Sequence, residues 1–295
     1  MLYTQKNRIT RINSADYTEK NIEDLIILCE SLHSDCITQF RSDLANGLWS
    51  VKDLDGKDPQ KVNDFLKRYF NLMIEVHGVN GEYHSVENLV DLKLIILPSK
   101  ITRITMSNFS AYEYALKVSP SCHFTITIDF NSSEIFDLSS SPSQATRNES
   151  TISTMAKNHI FADGLRASFE DYFNQRKNFN FLIHYRNMYD LLLWLIYFPI
   201  VIRLVLKHQL QFPDIVTSSP ITIQIVIGIF LFILLSLCFR ITFNIGRWLF
   251  PYQQIISQAG LLLKAAKIIY STIVIAIIGT LGVHVVSIFW DGLIK

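Results

Sequence analysis

Three long apolar runs close this chain: Met188–Leu206 (MYDLLLWLIYFPIVIRLVL), Ile221–Phe239 (ITIQIVIGIFLFILLSLCF) and Ile268–Phe289 (IIYSTIVIAIIGTLGVHVVSIF). A helix needs roughly 20 residues to cross ~30 Å of hydrocarbon, and each run has about that length. Lipid offers no partner to backbone N–H and C=O groups, so apolar runs of this kind must satisfy them internally, as helices. The expectation is an integral membrane protein with an all-α membrane domain of three transmembrane helices, at about 188–206, 221–239 and 268–289. The preceding residues read as an ordinary globular domain. The hydrophobic fraction of 49% and the mean hydropathy of +0.23 average these two unlike parts.

Loop charge sets the expected orientation, because short basic loops stay in the cytoplasm. The stretch between the second and third runs holds Arg240, Arg247, Lys264 and Lys267 and no acidic residue. Lys207 and Asp214 cancel between the first and second runs, and Arg176, Lys177 and Arg186 precede the first. A path of inside, out, in, out satisfies every loop. It places residues 1–180 in the cytosol, 181–295 in the membrane domain and the carboxy terminus outside. The opening MLYTQKNRITRINSADYTEK has no apolar h-region, in keeping with a cytosolic start. The four cysteines are too sparse for a disulfide framework and fit a reducing compartment. The net charge of +1 argues against direct nucleic-acid binding.

Within the amino-terminal part, Ile22, Leu25, Ile26, Cys29, Leu32, Cys36, Phe40 and Leu44 recur at three- and four-residue spacing. They predict a helix from Glu19 to Asn46 with one buried stripe, stopped at Gly47. Asp58-Pro59 suits the start of a second helix, with the carboxylate as cap and proline in the first turn. Leu72–Val76 alternates, Asn80-Gly81 signals a hairpin turn, and Glu82–Val86 is the expected return strand. Ile101–Ser107 and His123–Phe130 alternate like half-buried strands. Leu138–Ser150, rich in Ser, Pro and Asn, reads as a loop, and Gly164–Asn178 returns to helical spacing. Helices plus a small, mostly antiparallel sheet make an α+β domain.

Chemistry in the polar part is sparse. Cys29, His33 and Cys36 share one helix face and, with Cys122-His123, are the set zinc would accept. The spacing matches no standard finger, and the helix stripe needs small apolar residues at 29 and 36. A packed cysteine face is therefore expected, and no metal is assigned. Asp129, Asp137, Glu82, His84 and Glu87 carry acid–base groups, but read as a solvated sheet edge and turns. The loops GxxxxGK[ST] and GxGxxG and the motifs HExxH and GxSxG are absent, so no catalytic residue and no cofactor are assigned.

The membrane runs say more. Asp190, Arg203, Gln224 and His284 are costly in or near hydrocarbon, and they are the candidate pore-lining or intramembrane polar groups. Arg203 is close enough to its helix end to snorkel, and Asp190 follows Arg186 by one helical turn. Pro199 should kink the first helix. Thr272, Ala276 and Thr280, with Gly279 beside them, form a small-residue stripe for helix packing. Residues 240–267 are too polar to span. They are expected as a helical loop at the inner leaflet, with Arg240, Arg247, Trp248, Lys264 and Lys267 meeting lipid. The alternative is that the flanking helices extend into the cytosol and turn at Pro251.

Three helices lack the inverted repeats of a carrier, and one bundle has little room for a pore, so conduction requires several copies about an axis. The function expected is that of a homo-oligomeric membrane effector. Its cytosolic domain senses a ligand or a protein partner, and its helices alter permeability, channel-like or depolarising. Bacterial defence effectors that depolarise their own membrane share this layout, which brings antiviral defence and a bacterial inner membrane into the expectation. The likeness is one of layout alone. A membrane-anchored interaction or scaffold subunit without a pore is the alternative. A membrane-bound enzyme acting through Asp129, Asp137 or Glu82–His84–Glu87 ranks behind both.

Overall fold

A computed structural model describes residues 8–48, 50–51, 58–136, 141–202, 220–274 and 276. The chain forms two units, neither continuous in sequence. One comprises the chain up to Asn131, Arg147–Phe179 and Tyr252–Ala259; the other comprises Ser132–Thr146, Asn180–Pro251 and the chain from Gly260 on. A single boundary near residue 180 does not anticipate either inserted segment.

The first unit is an α+β domain. Its strands are β1 (Arg8–Arg11), β2 (Ala15–Tyr17), β3 (Met73–Gly78), β4 (Tyr83–Val86), β5 (Ile101–Ser107), β6 (Cys122–Asp129), β7 (Thr151–Ala156) and β8 (Gln253–Ile255). Six of them form one sheet in the order β1-β7-β6-β5-β3-β4, antiparallel throughout. Its helices are α1 (Glu19–Ala45), α2 (Pro59–Tyr69), α3 (Leu89–Leu94), α4 (Ser110–Leu116) and α5 (His159–Asn174).

Local chemistry explains the elements. The Thr18 hydroxyl accepts from Asn21 N at 3.1 Å while Thr18 N donates to Asn21 Oδ1 at 2.9 Å, a reciprocal cap that opens α1. Gly47, at φ +65°, supplies the left-handed residue that ends it. Asp58 accepts from Gln60 N and Lys61 N, and Pro59 stands in the first turn of α2. Gly81, at φ +76°, makes the turn of the β3–β4 hairpin, which pairs Ile74 with Val86 and His77 with Tyr83. The α1 stripe is buried as the spacing predicts, from Ile22 to Leu44. It meets one face of the sheet: Cys29 Sγ lies 3.6 Å from Met106 Sδ and Cys36 Sγ lies 3.1 Å from Cys122 Sγ. Phe169 of α5 packs on Phe124 of that same face. The result is two layers, helices on a sheet, with the core between them.

Three details differ from expectation. The sheet is larger, because β1 and β7 flank β6 on the side away from β5. The expected helix at Gly164 begins earlier, at His159, where the Asn158 side chain caps Ile160 N and Phe161 N. Residues 253–255, expected in a helical loop, instead form β8, which pairs in parallel with β2.

In the second unit, α6 (Phe181–His184) precedes α7 (Met188–Leu192), which continues through a π-helical turn at Leu193–Tyr197 to Ile202. Phe198 N donates to Leu193 O, five residues back. Pro199 has no N–H for the next bond and its ring crowds the preceding turn, so a widened turn just before it relieves both problems. A kink is expected at Pro199; what the helix shows is this wide turn before it. α8 (Ile221–Leu249) is unbroken for 29 residues, about 43 Å at 1.5 Å per residue. It therefore runs well past the expected end at Phe239 and stops at Phe250-Pro251. Ring pairs Tyr189–Phe243 (5.4 Å), Tyr197–Phe239 (4.7 Å) and Phe198–Phe232 (5.2 Å) join the α7 run to α8. Rising numbers on one helix meet falling numbers on the other, so the pair is antiparallel. A further helix occupies 261–274.

The expectation of three crossings is met in part. Among the described residues one helix, Ile221–Leu249, is long and apolar enough to span a membrane, with a mean hydropathy of 2.7 over its most apolar stretch. Residues 203–206 of the first run and most of the third lie outside the described residues.

Candidate functional site

The stretch that follows α8 is built into the α+β domain. Tyr252 O accepts from Ala15 N at 2.9 Å, and Gln253–Ile255 pairs with Ala15–Tyr17. Gln253 is 1% exposed, and both polar atoms of its side chain are bonded: Oε1 accepts from Tyr17 Oη at 3.0 Å and Nε2 donates to Asn13 O at 2.8 Å. Ile255 is buried in the core of this domain. After one 3-10 turn, Gln258 Oε1 accepts from Ile101 N at 3.0 Å, at the start of β5. An amide buried this deeply is stable only with its bonds made, so the docking is specific to Gln253 and not a loose apolar contact.

Beside this stretch lies a cavity of about 370 Å³, wholly within the domain. Ile22 and Ile26 of α1, Ile104 of β5, Leu92 of α3 and Ile255 are among its apolar lining, and Glu19, Glu23, Lys93 and Ser257 supply polar groups. Lys93 Nζ pairs with Glu23 Oε1 at 3.1 Å. The volume is that of a small-molecule site. The arrangement suits binding better than bond-making, since the polar groups stand at the edge and the interior is hydrocarbon.

The second unit has its own polar cluster. Arg247, 6% exposed on the last turns of α8, donates from Nε to Ile183 O at 3.2 Å and from Nη2 to Gln144 O at 2.9 Å, with its guanidinium 4.7 Å from the Phe243 ring centre. Asn244 Nδ2 donates to Ile135 O at 3.2 Å, and Asn180 Nδ2 to Pro251 O at 3.2 Å. His184 lies 2.6 Å from Phe250 O through Nε2 and 2.8 Å from Thr146 Oγ1 through Nδ1. A carbonyl only accepts, so Nε2 carries the hydrogen and Nδ1 accepts from the threonine hydroxyl, the neutral tautomer. Burial pushes the imidazole down to about 4; the Phe250 carbonyl opposes this, and the Arg247 charge adds to it. The cluster binds the base of α8 to Ile135, Gln144 and Thr146 and to α6.

The residues singled out from sequence are thus placed as follows. Asp190 accepts from Ser143 Oγ at 2.8 Å in place of the expected partner Arg186. Gln224 is exposed near the start of α8. Arg203, His284, Gly279 and Thr280 lie outside the described residues, as does Asp137. Of the expected lipid contacts, Arg247 is enclosed by protein carbonyls, Arg240 is half-buried, Trp248 and Lys264 are exposed, and Lys267 lies 5.5 Å over the Phe250 ring. Thr272 Oγ1 donates to Ile268 O within its own helix, and Ala276 is exposed. Cys29, His33 and Cys36 face inward; the His33 ring sits 5.5 Å from Phe70. Among the described residues no group of three or more His, Cys, Asp or Glu is placed to hold a metal ion. Asp129 accepts from Asn131 beside it, and Glu87 from Asn71, in separate places. Sequence reasoning missed Tyr17, Gln253, His184 and the cavity.

No family model matches the chain, and no curated protein or solved structure is similar to it.

Proposed function

We propose that this chain is a subunit of a homo-oligomeric integral membrane effector. Three helices cross the membrane, a bacterial inner membrane in the simplest reading. The α+β domain lies on the cytosolic side and the carboxy terminus outside. The domain senses a ligand or partner and sets the permeability of the helices, channel-like or depolarising, in the manner of antiviral defence. One observation carries the reading: residues 252–259, between the second and third apolar runs, are a strand and turn of the α+β domain and part of its cavity wall. Tyr252 follows the end of α8 by only three positions. A simple anchor has no need to send the connection between two membrane helices back through a domain core. A sensor does, since a ligand shifts an equilibrium only by touching an element that differs between the two states. The antiparallel pairing of the α7 run with α8 supports a hairpin in the bilayer.

The test is expression in a bacterium loaded with a potential-sensitive dye. An activated form should collapse the membrane potential. Replacing 252–259 by a Gly/Ser linker should leave the protein in the membrane while abolishing control, so that depolarisation becomes constitutive or is lost. Unaltered potential under every condition, with function preserved when a foreign anchor replaces the helices, establishes the scaffold reading instead.

A further inference from the structure

We infer that the cavity beside α1 and β8 is a binding site for a small amphiphile with an apolar body and a cationic head. The space of about 370 Å³ is large enough to take a small molecule. Its walls are aliphatic: Ile22, Ile26, Leu92, Ile104 and Ile255 are all buried and offer no hydrogen bond to a polar guest. Leu97, which lines the cavity, is 41% exposed and puts an apolar side chain where the space opens.

The rim decides the sign of the head group. Glu19 and Glu23 face one cation, Lys93, which is already paired with Glu23. Glu19 is exposed and makes no ion pair among the described residues. The rim is therefore short of one positive charge. An ammonium at the mouth completes it, whereas a carboxylate adds a second uncompensated negative charge beside Glu19. Because Ile255, Ser257 and Gln258 form one wall, an occupant touches the same stretch that continues into both flanking membrane segments. The inference rests on the sensing role proposed above for its purpose, but its occupancy is measured without reference to permeability.

The full chain in lipid nanodiscs, free of detergent, is titrated by calorimetry with 4-phenylbutylamine, 4-phenylbutanol and 4-phenylbutanoate, with empty discs as the reference. The amine should bind about five- to tenfold more tightly than the alcohol, the ratio expected for about 1 kcal/mol of screened attraction, and the carboxylate most weakly. Glu19→Gln, at an exposed position, should reduce the preference for amine over alcohol. Leu97→Trp, also at a partly exposed position, should fill the mouth and weaken all three, with an unchanged unfolding temperature showing that the fold is intact. Equal affinity for amine and alcohol, binding indifferent to Leu97→Trp, or no binding of any of the three overturns the inference. Binding with this pattern but no effect on membrane potential leaves the site standing and counts against the permeability role instead.

Discussion

Tyr17 and Gln253 stand 236 positions apart and share a 3.0 Å hydrogen bond in a fully enclosed setting, the phenol donating to the amide oxygen. That bond fixes the connection between two helices, since β8 follows α8 and precedes the helix over 261–274. Tyr17→Phe strands the amide oxygen, and Gln253→Leu strands the phenol and the Asn13 carbonyl. Each single change should lower stability by about 1–3 kcal/mol, the usual loss when a buried partner is left unmet. The double variant should lose clearly less than the sum, because one bond cannot be removed twice. Thermal unfolding of the four proteins completes the cycle, and strict additivity would show that the bond does not act as a unit.

Gly246 of α8 makes a second prediction. A Cβ there would come within 2.5 Å of Tyr270 Oη and 2.8 Å of Ile183 Cδ1, whereas one at Gly228 meets nothing within 4 Å. Alanine favours a helix over glycine by about 1 kcal/mol, so Gly228→Ala should be neutral or stabilising. At Gly246 the overlap opposes that gain by about 1–3 kcal/mol, and Gly246→Ala should destabilise. Adding Tyr270→Phe removes the nearest atom and should recover part of the loss, despite surrendering the 3.3 Å bond to Thr242 O. If both alanines behave alike in thermal unfolding, the close approach of 261–274 to α8 is not the reason for this glycine.

Much of the first unit was legible because its signals are local. The α1 stripe, the Asp58-Pro59 start and the Asn80-Gly81 turn each lie within a few residues of sequence. Strand β7 was hidden because Thr151, Ser153 and Thr154 blur the alternation and follow a Ser- and Asn-rich stretch. Strand β8 has three residues and a partner at the far end of the chain, so no window contains its cause. Arg247 was assigned to lipid by the rule that basic loops meet headgroups; the carbonyls of Ile183 and Gln144 that enclose it are visible only after folding. The cavity is likewise a product of four separated segments. The extension of α8 beyond Phe239 to a stop at Phe250-Pro251 matches the alternative reading of a turn at Pro251; the hydropathy falls after Phe239 while the helical period persists through Phe243, Gly246 and Leu249.

Three histidines set a pH dependence. Burial pushes His33, His123 and His184 down to about 4 from an ordinary value of 6.5. The folded form thus holds them neutral while the unfolded chain protonates them near 6.5. Their contribution is complete above pH 6.5 and is lost as the pH falls from there towards 4. For the two that are almost fully enclosed, His123 and His184, the loss is on the order of 3 kcal/mol each. The unfolding temperature in nanodiscs should drop between pH 6.5 and 5, before ordinary carboxylates titrate. His184→Gln should flatten part of that slope, since an amide can still donate to Phe250 O and accept from Thr146. A flat profile from pH 7 to 5 would show that these imidazoles are reached by water.

The cysteines distinguish core from lipid. Cys29, Cys36 and Cys122 are fully buried, and burial raises the thiols of Cys29 and Cys122, the latter further through the Cys36 sulfur beside it. A thiol reacts as its thiolate, so these positions should resist any maleimide until the domain unfolds. Cys238 is different: it is exposed on α8, among apolar side chains that are themselves exposed, such as Phe232, Ile233 and Leu237. In water such a surface is unstable, whereas in lipid it costs nothing. With the protein in intact bilayers, a charged maleimide should fail to modify Cys238 while a membrane-permeant, apolar one succeeds, and detergent should abolish the difference. Rapid modification by the charged reagent in a sealed bilayer would put Cys238 in water, and α8 would then have to bury its apolar face against protein instead.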